Sequence, residues 1–197
     1  MNATACYFVS ALEQENAEIA RGLRRRDADL LDRLIEQYQH RLLRFLIYLT
    51  GSRQTAEDLF QETWLRVLER GSQYDGKHNF STWLFAIARN LTIDLQRRKK
   101  PSSLDPLVLE DQEPLGPAAG GQPSAFDLLA QQEQSEQVRR VLGGIPSEYR
   151  EAIVLRFHEE LSLEEISTVT GVPLGTVKSR IYRGLNILMP RLGGLQE

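Results

Sequence analysis

The apolar positions of this chain recur at three- and four-residue spacings, the period of helices that each bury one face. From Asp27 to Thr50, Leu31, Leu34, Ile35, Tyr38, Leu42, Phe45, Leu46 and Leu49 form one stripe, and Gly51 ends it. Asp32, Arg33, Glu36, Gln39 and Arg44 make the solvated side. A helix is expected from Ser52 to Arg70, with Ala56, Leu59, Phe60, Trp64, Val67 and Leu68 inward and Asp58, Gln61, Glu62 and Arg66 outward. Ahead of these, Ser10-Ala-Leu-Glu13 fits the cap of a short helix running to Arg26, and residues 1–10 carry no pattern. Residues 71–79, rich in Gly, Asn, Asp and Ser, read as a loop exposing Tyr74, Lys77, His78 and Asn79. Ser81 is expected to cap the helix whose buried side is Trp83, Leu84, Ile87, Leu91 and Leu95. Pro101 stops it after the basic run Arg97-Arg98-Lys99-Lys100.

Five prolines between Pro101 and Pro123, with Gly116, Gly120 and Gly121, exclude a continuous helix and mark a linker. Phe126 to Leu142 is expected to be a helix ended by Gly143-Gly144, and Pro146-Ser147 to start the helix of Tyr149, Ile153, Leu155 and Phe157. Ser162-Leu-Glu-Glu165 has the form of a capping box, opening a short helix with Leu163, Ile166 and Val169 inward. It ends at Thr170-Gly171, and Pro173 suits the first turn of a second helix. Helix, tight turn, helix is the helix-turn-helix plan. In the second helix Val177, Ile181, Leu185 and Leu188 form the apolar stripe, while Ser179, Tyr182, Arg183 and Asn186 share another side with Lys178 beside them. No acid occurs from Pro173 to Leu192. Such a helix by itself reads as a core helix with a solvated basic face. The capped helix and glycine turn directly before it favour insertion into a major groove, which requires donors near the leading end. The fold class is all-α: a helical bundle at 12–100, an acidic linker at 101–125, and a helix-turn-helix domain at 126–192.

The net charge of −3 changes this picture only after it is divided. Between Pro101 and Glu136 there are seven acids and no Lys or Arg, so the basic run and the basic helix on either side keep positive fields of their own. Hydrophobic residues at 41% and charged residues at 26% are ordinary for a globular chain. No apolar run reaches membrane-span length, a basic-then-apolar leader is missing, and a lone Cys6 excludes an internal disulfide, so a cytoplasmic protein is expected. Asp58 and Glu62, four apart, share a face, but no His or Cys joins them; a surface for a basic partner fits better than acid–base or metal chemistry, with a plain solvated face as the alternative. His78 reads as plain surface. Phe80 and Trp83, among basic and amide groups at a loop–helix junction, suit either unstacked single-stranded bases or core anchors. A phosphate-binding glycine loop, a catalytic triad and a metal cluster are all missing from the pattern, so neither an enzyme nor a cofactor is expected.

Two blocks carry a specific resemblance. Glu57-Asp58-Leu59-Phe60-Gln61-Glu62-Thr63, Phe80 through Asn90, Asp94 and Arg97-Arg98 resemble region two of bacterial RNA polymerase sigma factors of the extracytoplasmic-function group. Ile145-Pro146, Leu155-Arg156-Phe157, Leu163 through Ile166 and Gly175 through Arg180 resemble region four of that group, in the family's order. The resemblance implies a factor that binds core polymerase, selects a promoter and helps open it, with an anti-sigma factor as a further partner and no membrane insertion. It implies that Asp58, Gln61 and Glu62 meet the clamp helices of the polymerase's largest subunit. Lys77, His78, Asn79, Phe80, Ser81, Thr82, Asn90, Arg97 and Arg98 would face the minus-ten element, where a base is flipped from the stack. Lys178, Ser179, Tyr182 and Arg183 would meet the minus-thirty-five element, and Arg156 a phosphate. The linker would run beside the path of nascent RNA. The rival from another class is an autonomous helix-turn-helix regulator with a sensing or dimerising bundle, which leaves the first block unexplained; a membrane or RNA-processing factor using the basic run explains still less.

Overall fold

The computed structural model describes residues 3–99 and 141–193, and every regular element among them is helical. The linker and most of the helix expected from Phe126 lie outside the described residues. Helices α1 (Ala3–Arg25), α2 (Ala28–Thr50), α3 (Arg53–Arg70) and α4 (Phe80–Lys99) form the first half. The second half comprises α5 (Ser147–Ile153), which runs on into a single π turn over Val154–His158, then α6 (Leu163–Thr170) and α7 (Leu174–Gly193).

Local chemistry sets most of these boundaries. Asp27 accepts from the Leu30 N–H at 3.1 Å and Ser52 from that of Thr55 at 3.3 Å, so each satisfies an amide that its helix leaves without a partner. The expected stripe of α2 is the core: Leu42, Phe45 and Leu46 are completely buried, and Phe45 meets Phe85 of α4 edge-to-face at 5.0 Å. Beside it Tyr38, Tyr74, Phe80 and Trp83 form a second aromatic group.

Four expectations need correction. α1 starts at Ala3, so Ser10 lies inside a helix instead of capping one. Tyr74 is 2% exposed, because its ring packs on Phe80 and Trp83 while its hydroxyl donates to the His78 carbonyl at 2.7 Å. α4 starts at Phe80, one residue before the expected cap; the Asn79 carbonyl takes the Trp83 N–H and Ser81 is buried in the first turn. Leu68, expected inward, is 44% exposed; Phe157 is 58% exposed. Phe157 is carried out by the π turn, in which the Glu159 N–H bonds the Val154 carbonyl five residues back at 3.0 Å. The same extra residue turns Glu159 inward, to 2% exposure.

Candidate nucleic-acid interface

The helix-turn-helix forms as the spacing predicts. Ser162 accepts from the Glu165 N–H at 3.2 Å, and the Glu165 carboxylate returns to the Ser162 N–H at 2.8 Å, closing the capping box. Gly171 ends α6 at φ 67°, a conformation that a side chain disfavours. Val177 is completely buried and Leu188 nearly so, which fixes the rotation of α7. Gly184 sets how near α7 lies to α5: a Cβ there would stand 2.5 Å from Ile153 Cδ1. With that face inward, Lys178, Ser179, Tyr182 and Arg183 all reach solvent on the other, Tyr182 with 68% of its surface. Four donors on one exposed, acid-free face can address base edges and phosphates in a groove. Arg156 is also exposed, and its guanidinium donates to the Leu161 carbonyl at 2.9 Å. Arg180 differs from its neighbours: it is half-buried and lines a cleft between the halves with Arg89 and Glu151.

On the first half, Asp58 and Gln61 are exposed on α3, and half-exposed Glu62 pairs with Arg66 at 2.9 Å. Leu65, one turn further along the same helix, is 53% exposed and continues this face as an apolar contact. The residues expected at the minus-ten element divide by accessibility. Lys77, His78, Asn90, Arg97 and Arg98 are exposed, Lys77 pairing with Asp75 at 3.1 Å. Phe80 is 1% exposed, its ring 5.4 Å from Tyr38 and 5.7 Å from Tyr74, so it is a core anchor and not a DNA-facing ring. Ser81 and Thr82 are buried as well. The Asn79 side chain is held from both ends: Asn16 Nδ2 donates to its oxygen at 3.3 Å, and its own amide donates to Glu165 Oε1 at 2.6 Å. Thr82 Oγ1 donates to the same carboxylate oxygen at 3.2 Å.

Sequence reasoning missed the charged groups that join the halves. Arg41 Nε meets Glu159 Oε2 at 2.9 Å, and Arg89 Nε meets Glu151 Oε1 at 2.6 Å. Arg150, 3% exposed, donates to the Tyr48 carbonyl at the end of α2 and to those of Gly143 and Ile145. Burial pulls Arg150 below the ordinary guanidinium range, and pushes the Glu151 carboxyl up against the opposing pull of Arg89. Partial burial would raise Glu165 too, but hydrogen bonds from Ser162, Asn79 and Thr82 hold it below the usual carboxylate range. No local pattern announces these pairs, since their partners lie 62 or more positions apart; the available signal was Glu151, an acid directly before the apolar run 152–155.

Known proteins match this chain along both halves. The family model for Sigma-70 region 2 matches residues 34–101, and that for Sigma-70, region 4 matches residues 135–188. The ECF RNA polymerase sigma factor SigW of Bacillus subtilis is 34% identical over 174 residues, which cover 86% of this chain and 92% of that protein. Among solved structures, the sigma factor RpoE in complex with the anti-sigma factor NepR from Bartonella quintana aligns with a TM-score of 0.65 at 26% identity, over 82% of this chain and 96% of that one. CnrH in complex with the cytosolic domain of CnrY shares the fold, with a TM-score of 0.67 at 20% identity, over 91% of this chain and 97% of that one. With both regions matched in order around an exposed helix-turn-helix, the chain belongs to the extracytoplasmic-function group of RNA polymerase sigma factors, which recruit core polymerase to promoters and start transcription.

Proposed function

We propose that this sigma factor reads its upstream promoter element with Lys178, Ser179, Tyr182 and Arg183, with Arg156 on a phosphate. The observation that supports this reading best is the division of α7, whose Val177 and Leu188 are buried while these four side chains are in solvent. On the first half, the exposed Asp58, Gln61 and Glu62 face, extended by Leu65, is the docking surface for core polymerase. Lys77, His78, Asn79, Asn90, Arg97 and Arg98 contact the minus-ten element, with Thr82 available once its present partner leaves; Phe80 and Ser81 support that surface from within. Residues 12–100 and 126–192 are the two working domains, and α1 adds residues 3–11 to the first.

The factor acts by binding and positioning, not by catalysis, in the cytoplasm where polymerase and promoter meet. No helix among the described residues is long and apolar enough to cross a membrane. An anti-sigma protein is a fitting partner, as the 26%-identical neighbour is held by one.

The test is promoter selection with and without core polymerase. Specific, salt-resistant promoter binding is expected only when core is present. Equally tight specific binding by the chain alone would favour an autonomous helix-turn-helix regulator.

A further inference from the structure

Asn16 shares the buried stripe of α1 with Ile19, Ala20 and Leu23, yet it is an amide and only 9% exposed. A polar side chain in that place costs stability unless it is bonded, and its bonds all go to the loop before α4. Asn16 Oδ1 accepts from the Tyr74 hydroxyl at 3.2 Å, a proton shared with the His78 carbonyl at 2.7 Å. Asn16 Nδ2 donates to Asn79 Oδ1 at 3.3 Å. The loop also rests on the backbone of the same turn: Gly76 takes φ 78°, and a Cβ there would stand 3.1 Å from the Asn16 carbonyl oxygen. Positions 74, 76 and 79 thus converge on one residue of a helix that lies outside the matched stretch 34–101.

The direction of this chain of bonds follows from its far end. The Asn79 amide nitrogen meets Glu165 Oε1 at 2.6 Å, and an ionised carboxylate can only accept. Asn79 therefore turns its NH2 group outward and its oxygen inward, toward the donor that Asn16 supplies. Asn16 in turn has its own oxygen left for the tyrosine hydroxyl. Reversing one of these amides, or both, sets like group against like. Resting on the minus-ten assignment above, we infer that Asn16 is a specificity-setting positioning residue: it orients the Asn79 amide so that a donor, and not an acceptor, is offered to a base of the melted minus-ten strand. Asn79 by itself can offer either, because an amide carries both groups at one end. Discrimination between bases then depends on a residue 63 positions away that stays beneath the loop.

The test uses core polymerase reconstituted with the full chain. Its template is a promoter selected from random duplex DNA by the wild-type holoenzyme, then randomised one minus-ten position at a time. The readout is the ratio of run-off transcripts among the four bases at each position, at pH 8. Asn79→Asp is the reference, since it offers only acceptors whatever Asn16 does. It should mark the position that Asn79 reads by shifting the ratios there about tenfold, as expected for exchange of one hydrogen-bonding group. Asn16→Asp keeps the acceptor for Tyr74 but has no donor for Asn79. The Asn79 amide should then turn over, and the preference should shift at the same position and toward the same base, with other positions unchanged. Asn16→Ala and Tyr74→Phe should flatten the ratios at that position alone. A merely structural role for Asn16 would lower transcription from every template in proportion and leave the ratios intact. Circular dichroism checks that each variant is folded; should Asn16→Asp fail to fold, Asn16→Ala and Tyr74→Phe decide by the same ratios. Wild-type ratios in folded Asn16 variants, beside a shift in Asn79→Asp, overturn the inference. If Asn79→Asp shifts no position, the minus-ten assignment of Asn79 itself fails, and the role of Asn16 falls with it.

Discussion

One oxygen of Glu165 closes the cap of α6, and the other reaches across to Asn79 and Thr82. The first role is legible in the sequence because a serine and a glutamate three residues apart define it. The second is not, since Asn79 lies 86 positions away and only the folded chain brings it near. The hydrogen bonds lower the folded-state pKa of this carboxyl, so its contribution to stability is complete above the ordinary carboxylate range and is lost as pH falls through the lower, folded-state value. Glu165→Gln should therefore lower the melting temperature at pH 7, with the gap to wild type closing at strongly acidic pH; a constant gap across a pH series of melts would rule this out. Arg183 poses a different question at the same scale. It is exposed on the face away from Val177, and loss of a base-edge contact costs about 1–3 kcal/mol at one position. Arg183→Ala should thus weaken transcription from the preferred upstream element and flatten the differences among its variants. An equal loss on every variant would make Arg183 a backbone anchor and shift the readout to Lys178 or Ser179.

At the scale of single helices, the apolar stripes of α2 and α7 were read correctly because burial on one side of a long helix leaves a repeating pattern. The errors arose where tertiary contacts outweigh that pattern. Tyr74 sits in a segment of loop-forming residues, yet Phe80, Trp83 and α1 enclose it. Leu68 continues the spacing of α3 but faces solvent near the end of that helix. Gly184 was passed over because a glycine within a helix has no sequence-level sign of a close neighbour. Gly184→Ala should destabilise the second half by about 1–3 kcal/mol through overpacking on Ile153 and Tyr149, measured as an earlier denaturant midpoint. For α3, Asp58→Lys with Glu62→Lys should weaken assembly with core polymerase while leaving circular dichroism unchanged, because exposed charge changes cost little stability. Unaltered competition for core would remove that face from the docking surface.

For the whole molecule, the division into two helical units was apparent from the proline-rich stretch between them, whereas their mutual contact was not, because charged pairs across a domain boundary leave no periodic trace. The proposed minus-ten contacts are tested at this scale, in the complex with polymerase. Substituting Asn79 or Arg97 should reduce bubble formation more than closed-complex binding. Permanganate reactivity that stays normal while duplex binding falls would reassign both residues. The π turn after α5 gives this scale a further lever. Each residue of an α-helix advances the chain by about 100° around its axis, so one surplus residue acts as a phase offset between α5 and all that follows. Deleting Phe157 would cancel the offset. The carboxylate of Glu159 would then rotate away from Arg41, while the capping box, the glycine turn and the reading face of α7 would keep their internal geometry. A residue gained or lost in this turn is thus expected to change the angle at which the helix-turn-helix meets the first half, and with it how tightly the two units associate, while the exposed face of α7 keeps its own shape.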